Sequence, residues 1–535
     1  MTTVAPRPAH ETPAGAPNDP ASPAGLTHRQ ILVVMSGLML GMFLATLDQT
    51  IVGTALPTIV GEFHRADLLS WVVTVYLLTS TISTPLYGKA SDLFGRKRLL
   101  QLSIVIFLIG SALCGIAQNM AELIGFRALQ GLGAGGLMSL ALAVIADVIP
   151  PRERGRYQGY FGAVFASSSI IGPLLGGFFV DQASWRWVFY INIPLGLAAL
   201  VVINRVLHLP VARRKVSIDW LGAGLLVAGI SALLVAVQSG GRDLAWSSAP
   251  LLGLISAGVA LIIAFVIRER VAPEPILPPR LFSNDIFRVA SSIGFLSGGV
   301  MFGVIIFFPQ YLQLVRGETA TVSGLATLPM LAGMLVTSIV SGRLISRLGR
   351  YKMFVVAGTF LLTGGLVLMT QISASTPLLY LFVWMFIVGS GMGLFMQTVV
   401  MATQSAVETR DLGVATSSIM FFRTMGGAIG AAVFGALLTS RLAVELPRHL
   451  PVAVARVVGR STNKLVTSPA AVDALPSVVR HGVGTAYSAA LSGVFLAAIP
   501  LALVTIVLSL RLREIVLRTS NGIQRAAAEA LEPVL

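Results

Sequence analysis

One acidic residue stands inside an otherwise apolar stretch near the beginning of the chain. Asp48 follows a run from Ile31 to Leu47 that is broken only by small or weakly polar residues, and no other carboxylate lies as deep within an apolar stretch. A charge in the core of a bilayer costs roughly 2.5 kcal/mol or more on insertion scales. An ionisable group at such a place therefore predicts a functional role, with a structural carboxylate paired to a cation as the alternative.

Arg127 is the cation best placed to meet Asp48. At 1.5 Å per residue, helix length puts both side chains roughly 8 to 12 Å below the outer surface of a membrane. An ion pair favours the charged carboxylate and burial favours the neutral form, so separating the two groups would make Asp48 bind or release a proton. We therefore predict a proton switch. Arg423, the other cation within an apolar stretch, is explained more simply by snorkelling or by bonds to carbonyls.

Two short basic segments, 88–98 and 342–352, form the second informative pattern. Each lies between two long apolar runs and has glycine at its first and eighth positions. Glycine permits a tight turn and the cations cannot enter lipid, so both segments are predicted to be cytoplasmic hairpins between membrane helices. Their separation of 254 positions indicates an internally duplicated membrane protein.

The composition of the 535-residue chain is that of a polytopic membrane protein. Hydrophobic residues make up 55% and charged residues 11%, and the mean hydropathy is +0.83, which is outside the range of soluble domains. The net charge of +15 lies in short loops between apolar runs. Lipid headgroups and membrane topology account for it there, so nucleic acid is not an expected partner.

The sequence predicts no cofactor, metal or enzymatic centre. Cys114 is the only cysteine and the six histidines lack ligand spacing, so neither a disulfide within one chain nor a metal site is expected. No phosphate-binding loop of the G-x-x-x-x-G-K-[ST] type is present, which disfavours an ATP-driven pump or a membrane enzyme. A proton gradient is the expected energy source.

Apolar windows of about 20 residues, the length that spans a bilayer, predict fourteen membrane helices. The hairpins follow helices 2 and 10, an offset of eight rather than six, which predicts two six-helix bundles with two inserted helices. Lys and Arg number twenty in the loops on one side and four in the short loops on the other, so both termini are predicted to be cytoplasmic. The predicted division is a disordered tail over 1–30, an N-terminal bundle over 31–209, inserted helices and linkers over 210–285, a C-terminal bundle over 286–510 with an outer loop at 439–485, and a tail over 511–535.

Helix 5 is rich in small residues. Gly159 and Gly162 precede the segment from Gly172 to Gly177, which contains Pro173. Small residues let helix backbones approach closely, and a proline bends a helix by freeing a carbonyl. A pliant helix packed against a partner helix is therefore predicted.

Taken together, these segments resemble the major facilitator superfamily, and specifically its fourteen-helix drug/proton antiporter family, over nearly the whole chain. Four motifs occur in the family's order: the helix 1 motif at 47–57, the signature loop at 88–98, the proton-transfer motif of helix 4 around Arg127 and the antiporter motif of helix 5 at 172–177. Segments 185–194 and 309–313 also look like ones that recur in this branch. Gly53, Ser168 and Ser346 depart from the family's usual Asn, Gly and acidic residue.

The resemblance implies a role for each motif. Proton coupling falls to Asp48 and Arg127, and Asp92 is expected to stabilise the outward-facing state near the N-terminal dipole of helix 13. The implied residues are, for the conformational latch, Gly88, Asp92, Gly95, Arg96 and Arg98; for the antiporter motif, Gly172, Pro173, Gly176 and Gly177; and for a substrate cavity, Gln49, Met301, Phe302, Met396 and Gln397.

The resemblance also implies a function. We expect a proton-coupled antiporter of the cell membrane that exports amphipathic or hydrophobic small molecules, such as drugs or toxic metabolites, by rocking two bundles about a central site. Its expected partners are that substrate, protons and membrane lipids, and it is expected to work as a monomer. A lipid or native-metabolite exporter or flippase on the same fold is the alternative, which a deep polar cavity open to the lipid would favour. Proton-driven uptake is disfavoured only by the likeness of helix 5 to exporters.

Overall fold

The computed structural model describes residues 28–65, 68–207, 219–240, 244–450 and 476–517. These residues are mostly helical, with one isolated bridge between Gly240 and Leu244. The predicted tails at the two ends of the chain lie mostly outside the described residues. Their disorder and their cytoplasmic location therefore stay predictions.

The first seven helices form an N-terminal bundle in which α1 packs on α4, α5 and α7, and α4 packs on α2 and α3. The sixth predicted span is divided at Ile191 into two helices. Pro194 falls in the first turn of the second of them, where its missing N–H costs no helical bond. The helices are α1 (His28–Phe63), α2 (Leu69–Phe94), α3 (Arg96–Ile116), α4 (Met120–Val148), α5 (Pro151–Gln182), α6 (Trp187–Tyr190) and α7 (Asn192–Val206).

The inserted segment forms two long helices, α8 (Trp220–Ser239) and α9 (Ala249–Val271), and a short one, α10 (Pro279–Ser283). α8 packs on α9 and also contacts α2 and the later helix that begins at Leu412. An apolar cluster joins all of these, with members such as Ile82, Leu226 and Phe421. The inserted pair therefore lies along the seam between the two bundles, which the sequence did not indicate.

The last seven helices form a C-terminal bundle of similar construction. They are α11 (Asp285–Arg316), α12 (Ala320–Leu325), α13 (Leu328–Leu348), α14 (Lys352–Met369), α15 (Leu378–Ala406), α16 (Leu412–His449) and α17 (Ser477–Arg511). α16 continues past the predicted end of its span and α17 begins before the predicted start of its own. The outer loop predicted at 439–485 is therefore shorter, and residues 451–475 of it lie outside the described part of the chain.

Thirteen of the described helical spans are long and apolar enough to cross a membrane. The second predicted span corresponds to α2, whose 26 residues are long enough to cross, but α2 does not belong to that group of thirteen. The all-helical, multi-spanning fold class is thus confirmed. The count of fourteen stays a prediction.

The turn of each basic hairpin contains one glycine with positive φ. Gly95 links α2 directly to α3 with φ 95°, and Gly349 ends α13 with φ 69°, conformations that residues with a side chain rarely adopt. Gly88 and Gly342 lie inside helices instead, so the expectation that both glycines of each hairpin make its turn was wrong. Gly88 serves close packing, because a Cβ there would clash with Ser417 of α16.

The two bundles contact each other mainly through α2 with α16 and α5 with α13. We call the end of the molecule that carries residues 88–98 the hairpin end, and the other the opposite end. Hydrogen bonds cross between the bundles at the hairpin end, from Gly413 and Val414 to Asp92, and between Gln404 and Leu142. The hairpin end is therefore closed in this conformer.

Candidate functional site

Asp48 and Arg127 meet in the interior of the N-terminal bundle. Arg127 Nη1 donates to Asp48 Oδ2 over 2.5 Å, and the exposed fractions of the Arg127 and Asp48 side chains are 1% and 0%. α1 and α4 run in opposite directions and pack on each other, which brings the two positions to the same depth. The structure thus joins the pair that the sequence singled out.

Two amides complete the coordination of the carboxylate. Gln130 Nε2 donates to Asp48 Oδ1 over 2.8 Å, while Gln130 Oε1 accepts from Arg127 Nη1 over 2.8 Å. Asn192 Nδ2 donates to Asp48 Oδ1 over 3.3 Å and to Ser111 Oγ over 3.0 Å. Because all of these side chains are fully buried, the carboxylate depends on them in place of water.

Aromatic rings and one carbonyl hold the guanidinium in place. Arg127 lies over the ring of Tyr76 at 4.1 Å and near that of Phe189 at 5.9 Å, and its Nε donates to Val72 O over 3.3 Å. Cation–π contacts of desolvated groups stabilise by about 2 kcal/mol. Arg127 is thus fixed on three sides, with Asp48 as its counter-ion.

This arrangement can couple a proton to a movement. Removing one partner of a buried ion pair costs about 3–5 kcal/mol, because the remaining charge is left uncompensated. If a proton neutralised Asp48, the buried charge of Arg127 would be left without its counter-ion. Loss of the negative charge on Asp48 would therefore make this arrangement of α1 and α4 less stable.

The glycines of α5 lie against α1 close to this pair. A Cβ at Gly172 would lie 2.8 Å from Thr50 Cβ, and one at Gly176 would lie 2.9 Å from Ile51 O. Pro173 lies between them, within α5, and is partly exposed, and Gly177 faces open space. Gly172 and Gly176 thus let α1 and α5 approach closely, one and two turns beyond Asp48.

Ser168 of α5, the departure from the family's usual glycine, bonds to α1. Its hydroxyl lies 2.6 Å from that of Thr46, and its carbonyl accepts from Thr50 Oγ1 over 3.0 Å. The serine hydroxyl therefore adds one hydrogen bond to the contact between α1 and α5, because the carbonyl would be present with glycine as well.

The carboxylate of Asp92 joins the two bundles at the hairpin end. Gly413 N donates to Asp92 Oδ1 over 3.1 Å and Val414 N donates to Oδ2 over 2.9 Å. Both N–H groups belong to the first turn of α16, where they have no helical acceptor and the helix dipole favours an anion. The structure thus puts Asp92 at the helix terminus where it was expected.

Arg96 connects Asp92 to α4. Its Nη1 lies 2.6 Å from Asp92 Oδ1, and its Nε donates to Asp147 Oδ2 over 2.6 Å. Asp92 lies beyond the part of α2 expected to cross the membrane, but it is buried by protein. This burial raises the pKa of Asp92 to about 6, although Arg96 and the Val414 N–H lower it. Arg98, also implied in the latch, is exposed and joins none of these contacts.

A second crossing lies beside the first and was missed from the sequence. Arg154 Nη1 donates to Gln404 Oε1 over 2.9 Å, and its Nη2 donates to Ala146 O over 2.7 Å. Gln404 Nε2 donates to Leu142 O over 3.3 Å and to Thr416 Oγ1 over 3.1 Å. α4, α5, α15 and α16 are thereby joined at the hairpin end.

None of the five implied cavity residues is fully buried. Gln49 is exposed, whereas Met301, Phe302, Met396 and Gln397 are partly exposed. They come from α1, α11 and α15, one helix of the first bundle and two of the second. A central site between the bundles would use residues from both of them.

Arg423 fits neither of the two explanations predicted from the sequence, snorkelling or bonds to carbonyls. Its Nη2 donates to Met420 Sδ over 2.9 Å, and no bond to a carbonyl or carboxylate is found for it among the described residues. It lies eleven residues into α16, far from the start of that helix. Neither snorkelling nor carbonyl binding therefore accounts for it.

The residues missed from the sequence are mostly amides. Gln130 lies three positions after Arg127 and so shares its face of α4, a signal that was available. Asn192 was singled out only as part of segment 185–194, without a role, and Gln404 offered no signal, because an uncharged amide carries no cost that makes it conspicuous in an apolar stretch.

Comparison with known proteins gives consistent matches. The model of the Major Facilitator Superfamily matches residues 38–431. The chain is 41% identical over 409 residues to the multidrug transporter protein MdtP of Bacillus subtilis, covering 76% of this chain and 75% of that protein. It is 38% identical over 407 residues to multidrug resistance protein 3 of the same bacterium, covering 76% and 79%.

A solved structure matches as well. The proton:xylose symporter XylE aligns with a TM-score of 0.59 and 14% identity, covering 94% of this chain and 100% of that one. At this identity the likeness concerns the fold alone.

Proposed function

Because the chain belongs to the major facilitator superfamily, we propose that it exports amphipathic or hydrophobic small molecules in exchange for protons, as a member of the fourteen-helix drug/proton antiporter branch. The observation that carries this proposal is the buried pair of Asp48 and Arg127, closed by Gln130. The names of the two bacterial relatives support export of drugs.

The proposed orientation puts the hairpin end in the cytoplasm of a cell whose membrane the protein spans as a monomer. In that orientation both termini are cytoplasmic, and the conformer with a closed hairpin end is the outward-facing one. Asp92, Gly88 and Arg96 act as the latch that holds it. The positive charge of the hairpin segments supports this orientation.

The coupling step begins with a proton that reaches Asp48 from outside. Protonation neutralises the carboxylate and leaves Arg127 buried without its counter-ion, which favours rearrangement of α1 against α4. The latch then opens, the substrate enters from the cytoplasm and Asp48 releases its proton there. Restored pairing with Arg127 favours return to the outward-facing state, in which the substrate leaves.

The test uses proteoliposomes with an imposed pH gradient and a fluorescent amphipathic dye. We expect Asp48→Asn to abolish the part of the efflux that depends on the gradient, because the amide cannot carry a proton. The change is nearly isosteric and Asn still accepts from Gln130, so the protein is expected to fold.

The matched control is Asp181→Asn, which makes the same chemical change at an exposed position of α5. Its gradient-driven efflux should equal that of the unmodified protein. Full gradient-driven efflux by Asp48→Asn would refute the proposed coupling site.

A further inference from the structure

Arg423 is an interior cation for which the proposed mechanism has no use. Its side chain is partly exposed although it lies eleven residues into α16, and within the described part of the chain its one hydrogen bond goes to the sulfur of Met420. A thioether is a weak acceptor, whereas a guanidinium offers five donors. Most of the hydrogen-bonding capacity of Arg423 is therefore unused in this conformer.

The side chain begins at the contact of α16 with α11, where a Cβ added at Gly294 would lie 4.0 Å from the Cβ of Arg423. Thr416, which accepts from Gln404, and Met420 are four residues apart and so share one face of α16. Gln404 belongs to α15 and also donates to Leu142 O of α4, so this face of α16 borders α15 close to the place where α15 contacts the first bundle. The guanidinium bonded to Met420 Sδ therefore lies on this face, about one turn beyond the Gln404 crossing.

Gln397 of α15 lies at the same depth. Seven residues separate it from Gln404, so the two share a face of α15. At 1.5 Å per residue Gln397 is about 14 Å from the end of α15, and Arg423 is about 16 Å from the start of α16. Both are partly exposed and lie on helices that contact each other, so a ligand in the space between α15 and α16 at this depth would meet both.

Apolar side chains border that space on the side away from the hairpin end. Gly427, one turn beyond Arg423, packs on Phe302 so closely that a Cβ there would lie 2.5 Å from the ring. Phe302 and Met396 are themselves partly exposed. A cation thus stands at the inner limit of an apolar surface, an arrangement that is complementary to an amphipathic anion.

We propose that Arg423 binds the acidic group of an amphipathic organic anion, a group whose charge is shared by two or more oxygens and whose apolar part lies against Phe302 and Met396. This rests on the proposed function and specifies its substrate class. A guanidinium matches two oxygens of such a group, and the bond is strong where water is scarce. Bound anion would also provide the counter-ion that Arg423 lacks among the described residues.

The transport test compares three probes in proteoliposomes with an imposed pH gradient. They are dansylated undecanoic acid, its uncharged alcohol analogue, and the cation ethidium. We expect Arg423→Gln to lower export of the acid by about tenfold or more, the effect of losing one hydrogen bond to a charged group, with export of the alcohol and of ethidium little changed. Arg423→Lys keeps the charge and should retain much of the acid export.

The control is Arg441→Gln, the same change at an exposed position of α16, which should leave all three probes unaffected. Equal export of the acid by Arg423→Gln and the unmodified protein would overturn the inference. So would an equal fall for all three probes in both Arg423→Gln and Arg423→Lys, because that pattern indicates a structural role.

A binding measurement separates this inference from the proposed function. In detergent and without a gradient, the acid should raise the unfolding midpoint of the purified protein more than the alcohol does, and Arg423→Gln should remove the difference. If Arg423→Gln does not fold, the comparison is made on Arg423→Lys, and a midpoint that rises equally with acid and alcohol overturns the inference. A preference for the acid without gradient-driven export of any probe would refute the proposed function alone.

The acidic group has two possible sources, which a fluorescent phosphatidylglycerol distinguishes. Movement of this lipid between leaflets that depends on Arg423 indicates that a lipid headgroup supplies the anion. Export of the free acid without lipid movement indicates a small-molecule substrate. Either result supports the proposed anion site.

Discussion

At the scale of single residues, charge made part of the site predictable. Asp48 and Arg127 are conspicuous because a charge is costly in an apolar stretch, and depth along two antiparallel helices was enough to pair them. The partners that satisfy the carboxylate were less visible. Asn192 lies on α7, 144 positions from Asp48, and only the fold brings it there.

Gln130 is predicted to be a positioning residue for proton coupling. It donates to Asp48 and accepts from Arg127, so Gln130→Leu removes one bond from each member of the pair. A buried hydrogen bond to a charged group stabilises by about 1.5–3 kcal/mol. We expect gradient-driven efflux to fall about tenfold or more and its pH profile to shift, because Asp48 then loses a donor that favours its charged form.

The measurement is efflux from proteoliposomes over a range of outer pH. Gln371→Leu, at an exposed position after α14, is the control for the loss of one glutamine amide. A lower rate with an unshifted pH profile would mean that Gln130 only stabilises the fold.

At the scale of elements, hydropathy predicted where helices cross but not how far they extend. α16 runs to His449 and α17 begins at Ser477, past the limits of their apolar stretches. Hydropathy reports the thickness of the membrane, whereas a helix continues as long as its backbone bonds are made. The same limit hid the role of Gly88, because glycine at a turn and glycine at a close approach look alike in a sequence.

The latch between α2 and α16 is predicted to respond to pH. Asp92 has its pKa raised to about 6 in the closed conformer, chiefly by burial, and returns toward 3.8 when the latch opens into water. The closed conformer thus binds the proton more tightly. The stabilisation of the closed conformer by this proton is complete below the open-state pKa of 3.8 and is lost as the pH rises through about 6. The closed fraction should therefore grow as the pH falls from 7 toward 5.

Spin-label distances at the hairpin end measure this fraction. Labels at Phe94 and Leu348, exposed positions on α2 and α13, report the separation of the bundles in a Cys114→Ala background. Asp92→Ala removes the titrating group and both acceptors, and should show a smaller closed fraction at pH 7 and a weaker pH response. A response identical to that of the unmodified Asp92 would assign the titration to another group.

At the scale of the whole molecule, the duplication of the basic hairpins predicted the inserted pair but not its location. An offset of eight helices says that two have been added, and nothing in it says where they pack. α8 and α9 lie along the seam between the bundles, and Lys89 of the hairpin is tied to the linker by Glu274 over 2.6 Å. Contacts of this kind, like that of Gln404 with Leu142 across 262 positions, follow from the folded chain alone.

The whole molecule also determines how the membrane potential acts on transport. One proton carried inward at Asp48 brings in one positive charge, and the substrate carried outward adds its own contribution. Exchange moves no net charge for a monovalent cation, one charge for a neutral substrate and two for a monovalent anion. Each charge gains about 2.3 kcal/mol per 100 mV, so an anion is the substrate most strongly driven by a negative interior.

With a potassium diffusion potential and no pH gradient, we therefore expect protein-dependent export of the dansylated acid to be stimulated most, that of the alcohol less, and that of ethidium not at all. Vesicles without protein correct for leakage, and Asp48→Asn should abolish the stimulation of acid and alcohol export because no proton is carried. Stimulation of ethidium export would require a second proton per cycle and thus a second carrier besides Asp48. Equal stimulation of acid export and alcohol export would mean that the acid crosses in its neutral form. In that case Arg423 does not bind a charged carboxylate during transport.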